Sequence, residues 1–203
     1  MDEYEYVIQK FEANVDGVMP ISLRGFSRWR ELASLFAELE YKVGAEIGVE
    51  QGLYSEAMSQ HNPGVKIYCI DPWVTYTRYA DYVDQHKLDK RREEALIRLS
   101  KYNCEIIRET SMEAVKKFEP ESLDFVFIDG NHEFEFVVND IIYWSRIVRP
   151  GGIVSGHDYK RDKNERIPFH VIQAVNAYTD VYKIRPWFLT KADKSPSWFW
   201  VKK

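Results

Sequence analysis

The chain has few cysteines, no long apolar run and no basic excess, and each shortage excludes something. Two cysteines in 203 residues, Cys69 and Cys104, are too few for a disulfide scaffold. Both sit inside apolar stretches, which reads as buried thiols in the reducing cytoplasm rather than a metal pair. No apolar run approaches the roughly 20 residues that cross a bilayer, so no membrane partner is expected. The first residues, Met1-Asp2-Glu3-Tyr4-Glu5, are acidic and lack an apolar core, so no signal peptide is expected either. The 28 Lys and Arg are outnumbered by 32 Asp and Glu, a net charge of −4. Nucleic acid is therefore not expected as a partner, because neutralising phosphates needs a basic face.

What remains is an ordinary globular composition, 45% hydrophobic and 30% charged, without repeats or low-complexity segments. Its length suits one core, so residues 1–203 are read as a single domain. Residues 26–41 carry Phe26, Trp29, Leu32, Leu35, Phe36 and Leu39 on one helical face, and 1–42 are read as an N-terminal helical extension. Strands are predicted at 43–48, 65–71, 104–107, 123–129 and 153–155. Helices are predicted at 53–60, 87–99, 110–118 and 134–147, with Arg149-Pro150-Gly151-Gly152 as a break. Pro168 can open a further helix ending near Thr179, and 181–190 with 198–201 suggest a terminal hairpin. Alternating strands and helices predict an α/β, doubly wound and mainly parallel sheet.

In such sheets ligands bind at the carboxyl ends of the strands. The polar residues of otherwise apolar strands gather at those ends. Glu46, Gly48, Glu50 and Gly52 follow the first strand, Asp71 the second, Ser111 the third, Asp129 the fourth, and His157 with Asp158 the fifth. The glycines permit a tight turn, and an acid after the second strand can accept hydrogen bonds from a ribose. Together they predict an adenosine-containing cofactor. A nicotinamide dinucleotide would want a middle glycine where Glu50 stands, and its diphosphate would be repelled by Glu46 and Glu50. S-adenosylmethionine has no phosphate and carries a sulfonium and an ammonium, so acids suit it better.

Four segments in order resemble a known family. Glu46-x-Gly48-x-x-x-Gly52-x-x-Ser55 is similar to the first motif of class I S-adenosylmethionine-dependent methyltransferases. Asp129-Gly130-Asn131-His132-Glu133-Phe134 resembles a stretch of the branch that methylates hydroxyls of sugars and other small molecules. Pro150-Gly151-Gly152 and Gly156-His157-Asp158-Tyr159 resemble its fifth-strand region. The resemblance implies a seven-stranded Rossmann-like sheet with a C-terminal antiparallel hairpin. It implies that Glu46 and Gly48, with Gly52 and Ser55 in the same motif, hold the methionine end of the cofactor. Asp71 would take the ribose, Ser111 and Met112 would flank the adenine, and Asp129 would lie beside the cofactor. In metal-using members the positions matching Asp129, His157 and Asp158 bind a divalent cation, magnesium or manganese. The family more often has two acids at the last pair, so His157 is a departure, and metal ligation and a structural role are both open there.

For methyl transfer the protein must align a small-molecule acceptor and take its proton, for which Asp129 and His132 are the candidates. The tyrosine-rich stretch 75–82, within a 72–101 insertion, is the candidate for acceptor recognition and for a closing segment. Bland alternatives stand beside these roles: an early-helix position for Ser111, a loop hydrogen bond for His132, and a solvated helix face for Asp140. The tryptophans near the C-terminus are read as sheet core or a subunit interface, the latter making a homo-oligomer. Two rival functions are carried, a nicotinamide-dependent oxidoreductase and a non-catalytic cofactor-binding domain.

Overall fold

A computed structural model describes residues 1–75, 83–161 and 169–203. One eight-stranded sheet runs in the order β1-β7-β8-β6-β5-β2-β3-β4. The strands are β1 (Ile21–Leu23), β2 (Val43–Ile47), β3 (Lys66–Ile70), β4 (Cys104–Ile107), β5 (Leu123–Ile128), β6 (Val148–Gly156), β7 (Phe188–Thr190) and β8 (Trp198–Val201). Only β8 is antiparallel to its neighbours β6 and β7. The chain order reverses between β2 and β5, where Gly44 to Ile47 pair with Phe125 to Ile128. That reversal opens a crevice beyond the carboxyl ends of the strands.

Alternation along β5 explains why both faces are covered. Phe125 and Phe127 face one core, with Leu35, Phe36, Tyr54, Met58, Ala95 and Leu99. Val126 and Ile128 face the other, with Ile141, Trp144, Ala174, Val175 and Trp198. Helices α1 (Glu3–Lys10), α2 (Ala33–Glu38), α3 (Leu53–His61) and α4 (Gln85–Leu99) therefore lie on the first face. Helices α5 (Ser111–Ala114), α6 (Phe134–Ile147) and α7 (Val171–Val181) lie on the second. The Phe36 and Phe125 rings stack at 4.2 Å, tying α2 to the sheet centre.

The predicted α/β sheet and its antiparallel hairpin are present, with one strand more than the resemblance implied. That strand, β1, lies inside the segment read as wholly helical and pairs parallel with β7. Three residues are too few to show an alternating pattern, so only the pairing defines it. Pro150-Gly151-Gly152 does not separate two elements: β6 runs through it, and the irregularity appears as a register shift opposite Leu123 and Phe125. Residue 181 ends α7, so the strand predicted from 181 shrinks to Phe188–Thr190. The capping box at Thr110 and Glu113 is formed, though α5 stays one turn long before a 3-10 turn. Pro168 and residues 76–82 of the acceptor-recognition stretch lie outside the described residues.

Candidate active site

The strand ends surround a cavity of about 730 Å³. On one side lie β2, β3 and the turn into α3. Gly48 stands at φ +89°, and a Cβ there would sit 2.2 Å from the Asp129 carbonyl oxygen. Only glycine lets β2 and β5 approach so closely. Gly52 caps α3 in the left-handed region at φ +75°, with Leu99 3.0 Å from where its Cβ would be.

Glu46 is only 2% exposed and accepts a short hydrogen bond from the Ser55 hydroxyl. Burial pushes its carboxyl up to about 8 against that hydrogen bond, with the Asp129 charge adding to the rise and the Arg28 charge opposing it. The Ser55 hydroxyl also lies 3.2 Å from Cys69 Sγ. Asp71 accepts from the backbone N–H of Glu50 at 2.9 Å and of Trp73 at 2.7 Å. Burial raises its carboxyl as well, despite those bonds. Glu50 points at Arg91, 2.6 Å away. Its charge is thus offset, and the case against a diphosphate rests on Glu46 more than on Glu50. Ser111 does not reach into the cavity freely: its hydroxyl donates to Asp140 and accepts from Trp144 Nε1 at 2.8 Å. Met112 lines the cavity beside it.

On the other side, the ends of β5 and β6 bring Asp129, His132, His157 and Asp158 together. His132 Nε2 lies 3.6 Å from Asp129 and 3.3 Å from Asp158. His157 Nδ1 lies 3.4 Å from Asp129 and 3.3 Å from Asp158. The other His157 nitrogen, Nε2, is 3.2 Å from the Ser195 carbonyl, which only a protonated Nε2 can satisfy. Its Nδ1 is the nitrogen turned to the two acids. The His132 ring stacks on Phe169 at 4.5 Å. Burial alone would raise Asp129, yet His157, His132 and Arg28 together hold it well below the usual carboxylate range. Asp158 adopts φ +57° and also meets Lys160 at 2.9 Å. Such backbone strain is retained where the surroundings impose it. Ligand atoms of Asp129, His132 and Asp158 lie within 4.8 Å of one another. The cluster thus adds His132 to the residues foreseen as metal ligands and keeps His157 against the same acids.

Two cavity residues escaped the sequence reading. Asp140, read there as solvated, is 5% exposed, and burial pushes it up to about 7. Its spacing with Val137, Ile141 and Trp144 is the period of a buried helical face, a signal that was available. Arg28 enters from the N-terminal extension and meets Asp129 at 3.0 Å. Nothing local announces that contact, since the two residues are 101 positions apart.

A parallel sheet with a reversal at β2 and β5, glycines at the β2 turn and acids at successive strand ends defines a nucleoside-binding α/β protein. Residues 45–159, more than half of the chain, match the family model described as a methyltransferase domain, and the protein belongs to that family. A comparison with curated proteins finds no match. Among solved structures, the chain is similar to an O-methyltransferase from Bacillus cereus in complex with S-adenosylhomocysteine, at 15% identity and a TM-score of 0.62, covering 98% of this chain and 90% of that one. It is also similar to the O-methyltransferase TomG from Streptomyces achromogenes in complex with S-adenosylmethionine, at 16% identity and a TM-score of 0.59, covering 85% and 78%.

Proposed function

We propose that the protein transfers a methyl group from S-adenosylmethionine to a hydroxyl of a small molecule such as a sugar or natural product. The observation that carries this is Glu46, a buried acid with no ion pair among the described residues, in the same cavity as Asp71. A buried carboxylate is costly unless a positive group joins it. The methionine ammonium is such a group, and a diphosphate is not. The two neighbours crystallised with S-adenosylmethionine or its product support the reading.

S-adenosylmethionine supplies an already activated methyl group when bound. The residues then have three tasks. Glu46, Ser55 and the Gly48–Gly52 turn hold the methionine end, while Asp71 takes the ribose and Met112 contacts the adenine. Asp129 and His132 face the acceptor and take its hydroxyl proton. Asp129, Asp158 and His132 form a donor set that fits a divalent cation, which would lower the acceptor's pKa, with His157 beside the two acids. An imidazole among the ligands favours manganese over magnesium. One observation favours a second, metal-free reading of that cluster: Arg28 and Lys160 already neutralise one oxygen of each acid.

The free thiols fit a cytoplasmic location, and none of the described helices is long and apolar enough to cross a membrane. The test is transfer of labelled methyl from S-adenosylmethionine to a panel of hydroxylated acceptors, with and without exhaustive chelation. Stabilisation by S-adenosylhomocysteine but not NAD is expected, and the reverse removes the reading. Tight cofactor binding with no acceptor methylated would favour a non-catalytic domain, and undiminished transfer after chelation removes the metal.

A further inference from the structure

The N-terminal extension places one cation deep in the cavity. Arg28 opens a π-helical turn, Arg28–Leu32, that is fixed from three directions. Its own N–H donates to Asp193 at 2.7 Å. The Ser27 hydroxyl accepts from the Trp29 N–H at 3.0 Å, and the Ser27 N–H donates to Glu31 at 2.9 Å. The guanidinium lies 4.5 Å from the Trp29 ring, 5.3 Å from Tyr54 and 5.7 Å from Phe127. Aromatic walls of this kind hold a guanidinium in a plane and strip its water.

A guanidinium has five N–H donors. Here one nitrogen, Nη1, meets Asp129, while the buried Nε has no partner among the described residues. With Nε buried, it is the Nη end of the guanidinium that can meet an acceptor in the cavity Arg28 lines. Among the described residues Arg28 and Arg91 line the cavity, and Arg91 is committed to Glu50. Arg28 stands at the other end, close enough for its charge to act on both Glu46 and Asp129.

We propose that Arg28 binds the carboxylate of the methionine end of the cofactor, so that the extension completes the cofactor site. This rests on the reading that the cofactor is S-adenosylmethionine. A methionine tail is a zwitterion, and two acids alone would attract its ammonium while repelling its carboxylate. Two acids and one arginine match both charges. The planar fork of Arg28 matches a carboxylate, which a lysine would meet only as a point charge. The side chain stays 13% exposed, towards the cavity rather than bulk solvent.

The experiment is a two-by-two calorimetric cycle. Wild type and Arg28→Gln are each titrated with S-adenosylhomocysteine and with its carboxamide, which keeps the ammonium and removes the negative charge. Wild type is expected to prefer the acid by roughly 10- to 100-fold, the variant to lose that preference, and the variant to bind the carboxamide about as wild type does. Equal affinity of wild type for acid and amide overturns the proposal, as does a variant that keeps the preference. Equal loss of both ligands also overturns it, because Arg28 would then serve only the fold. Thermal unfolding reports whether Arg28→Gln folds, and Arg28→Lys, expected to fall between the two, decides if it does not. Wild type that binds neither ligand removes the cofactor reading itself, an outcome distinct from wild type that binds both equally.

Discussion

The acids on the two sides of the cavity are pushed in opposite directions. Where β2, β3 and α6 face it, burial raises three: Glu46 to about 8, Asp140 to about 7, and Asp71 upward. At the end of β5, Asp129 is part-buried, yet it is held well below the usual range by two imidazoles and a guanidinium. The first side leaves Glu46, Asp71 and Asp140 without an ion pair among the described residues. The second sets Arg28 against Asp129 and keeps that acid ionised. Under the proposed function, the first side is the cofactor side and is completed by binding, while the second is the reaction side and is charged in advance.

Gly48→Ala should erase the distinction by closing both sides. The added carbon would meet the Asp129 carbonyl at 2.2 Å, at a φ of +89° that L-residues disfavour. A loss of about 2–5 kcal/mol in urea unfolding is expected, with no measurable S-adenosylhomocysteine binding. Unchanged stability would show that β2 and β5 can separate, and that the close approach is not what shapes the turn.

Asp158→Ala should act on one side only. Turnover is expected to fall about 100-fold or more, since the residue meets both imidazoles, while S-adenosylhomocysteine affinity stays within roughly threefold. Equal loss of binding and turnover would mean that the two sides are one electrostatic unit.

These two sides were not equally legible in the sequence. The cofactor side is local: Glu46, Gly48, Gly52 and Ser55 lie on one strand–turn–helix, and Asp71 ends the next strand. Their place at the strand ends and the resemblance of the motif singled them out. The acids and histidines of the reaction side also fall at strand ends, so their gathering could be foreseen. Their cations could not. Arg28 belongs to an amphipathic segment whose pattern shows only which face is buried, and its partner is set by how the extension folds back through the Asp193 contact. The edge strand β1 escaped for the same reason, being defined by its pairing with β7 alone.

Binding should read the protonation of Glu46 directly. Without cofactor the raised carboxyl keeps its proton below about 8. An incoming ammonium favours the carboxylate, so binding below that pH expels a proton. S-adenosylhomocysteine affinity is expected to rise by up to about tenfold per unit between pH 6 and 8 and then level. In Glu46→Gln the slope should vanish. A wild-type affinity flat from pH 6 to 8 would mean that Glu46 stays neutral in the complex and only donates or accepts a hydrogen bond.

Asp140 tests the same idea with no ligand present. Burial raises its carboxyl to about 7, opposed only by the Ser111 hydrogen bond. The folded protein therefore holds a proton that the unfolded chain releases above pH 4 or so. Stability from this group is present below that pH and is lost as pH rises towards 7, after which it levels. Asp140→Asn keeps an oxygen for Ser111 and carries no titrating proton. Its stability relative to wild type should thus improve between pH 5 and 8, by on the order of 1 kcal/mol in urea unfolding. If the variant instead loses ground as pH rises, Asp140 is ionised and paired in the folded protein, and the cofactor side would hold a fixed counter-charge like the reaction side. The contrast between the two would then reduce to Glu46 and Asp71, the two acids proposed to meet the ammonium and the ribose.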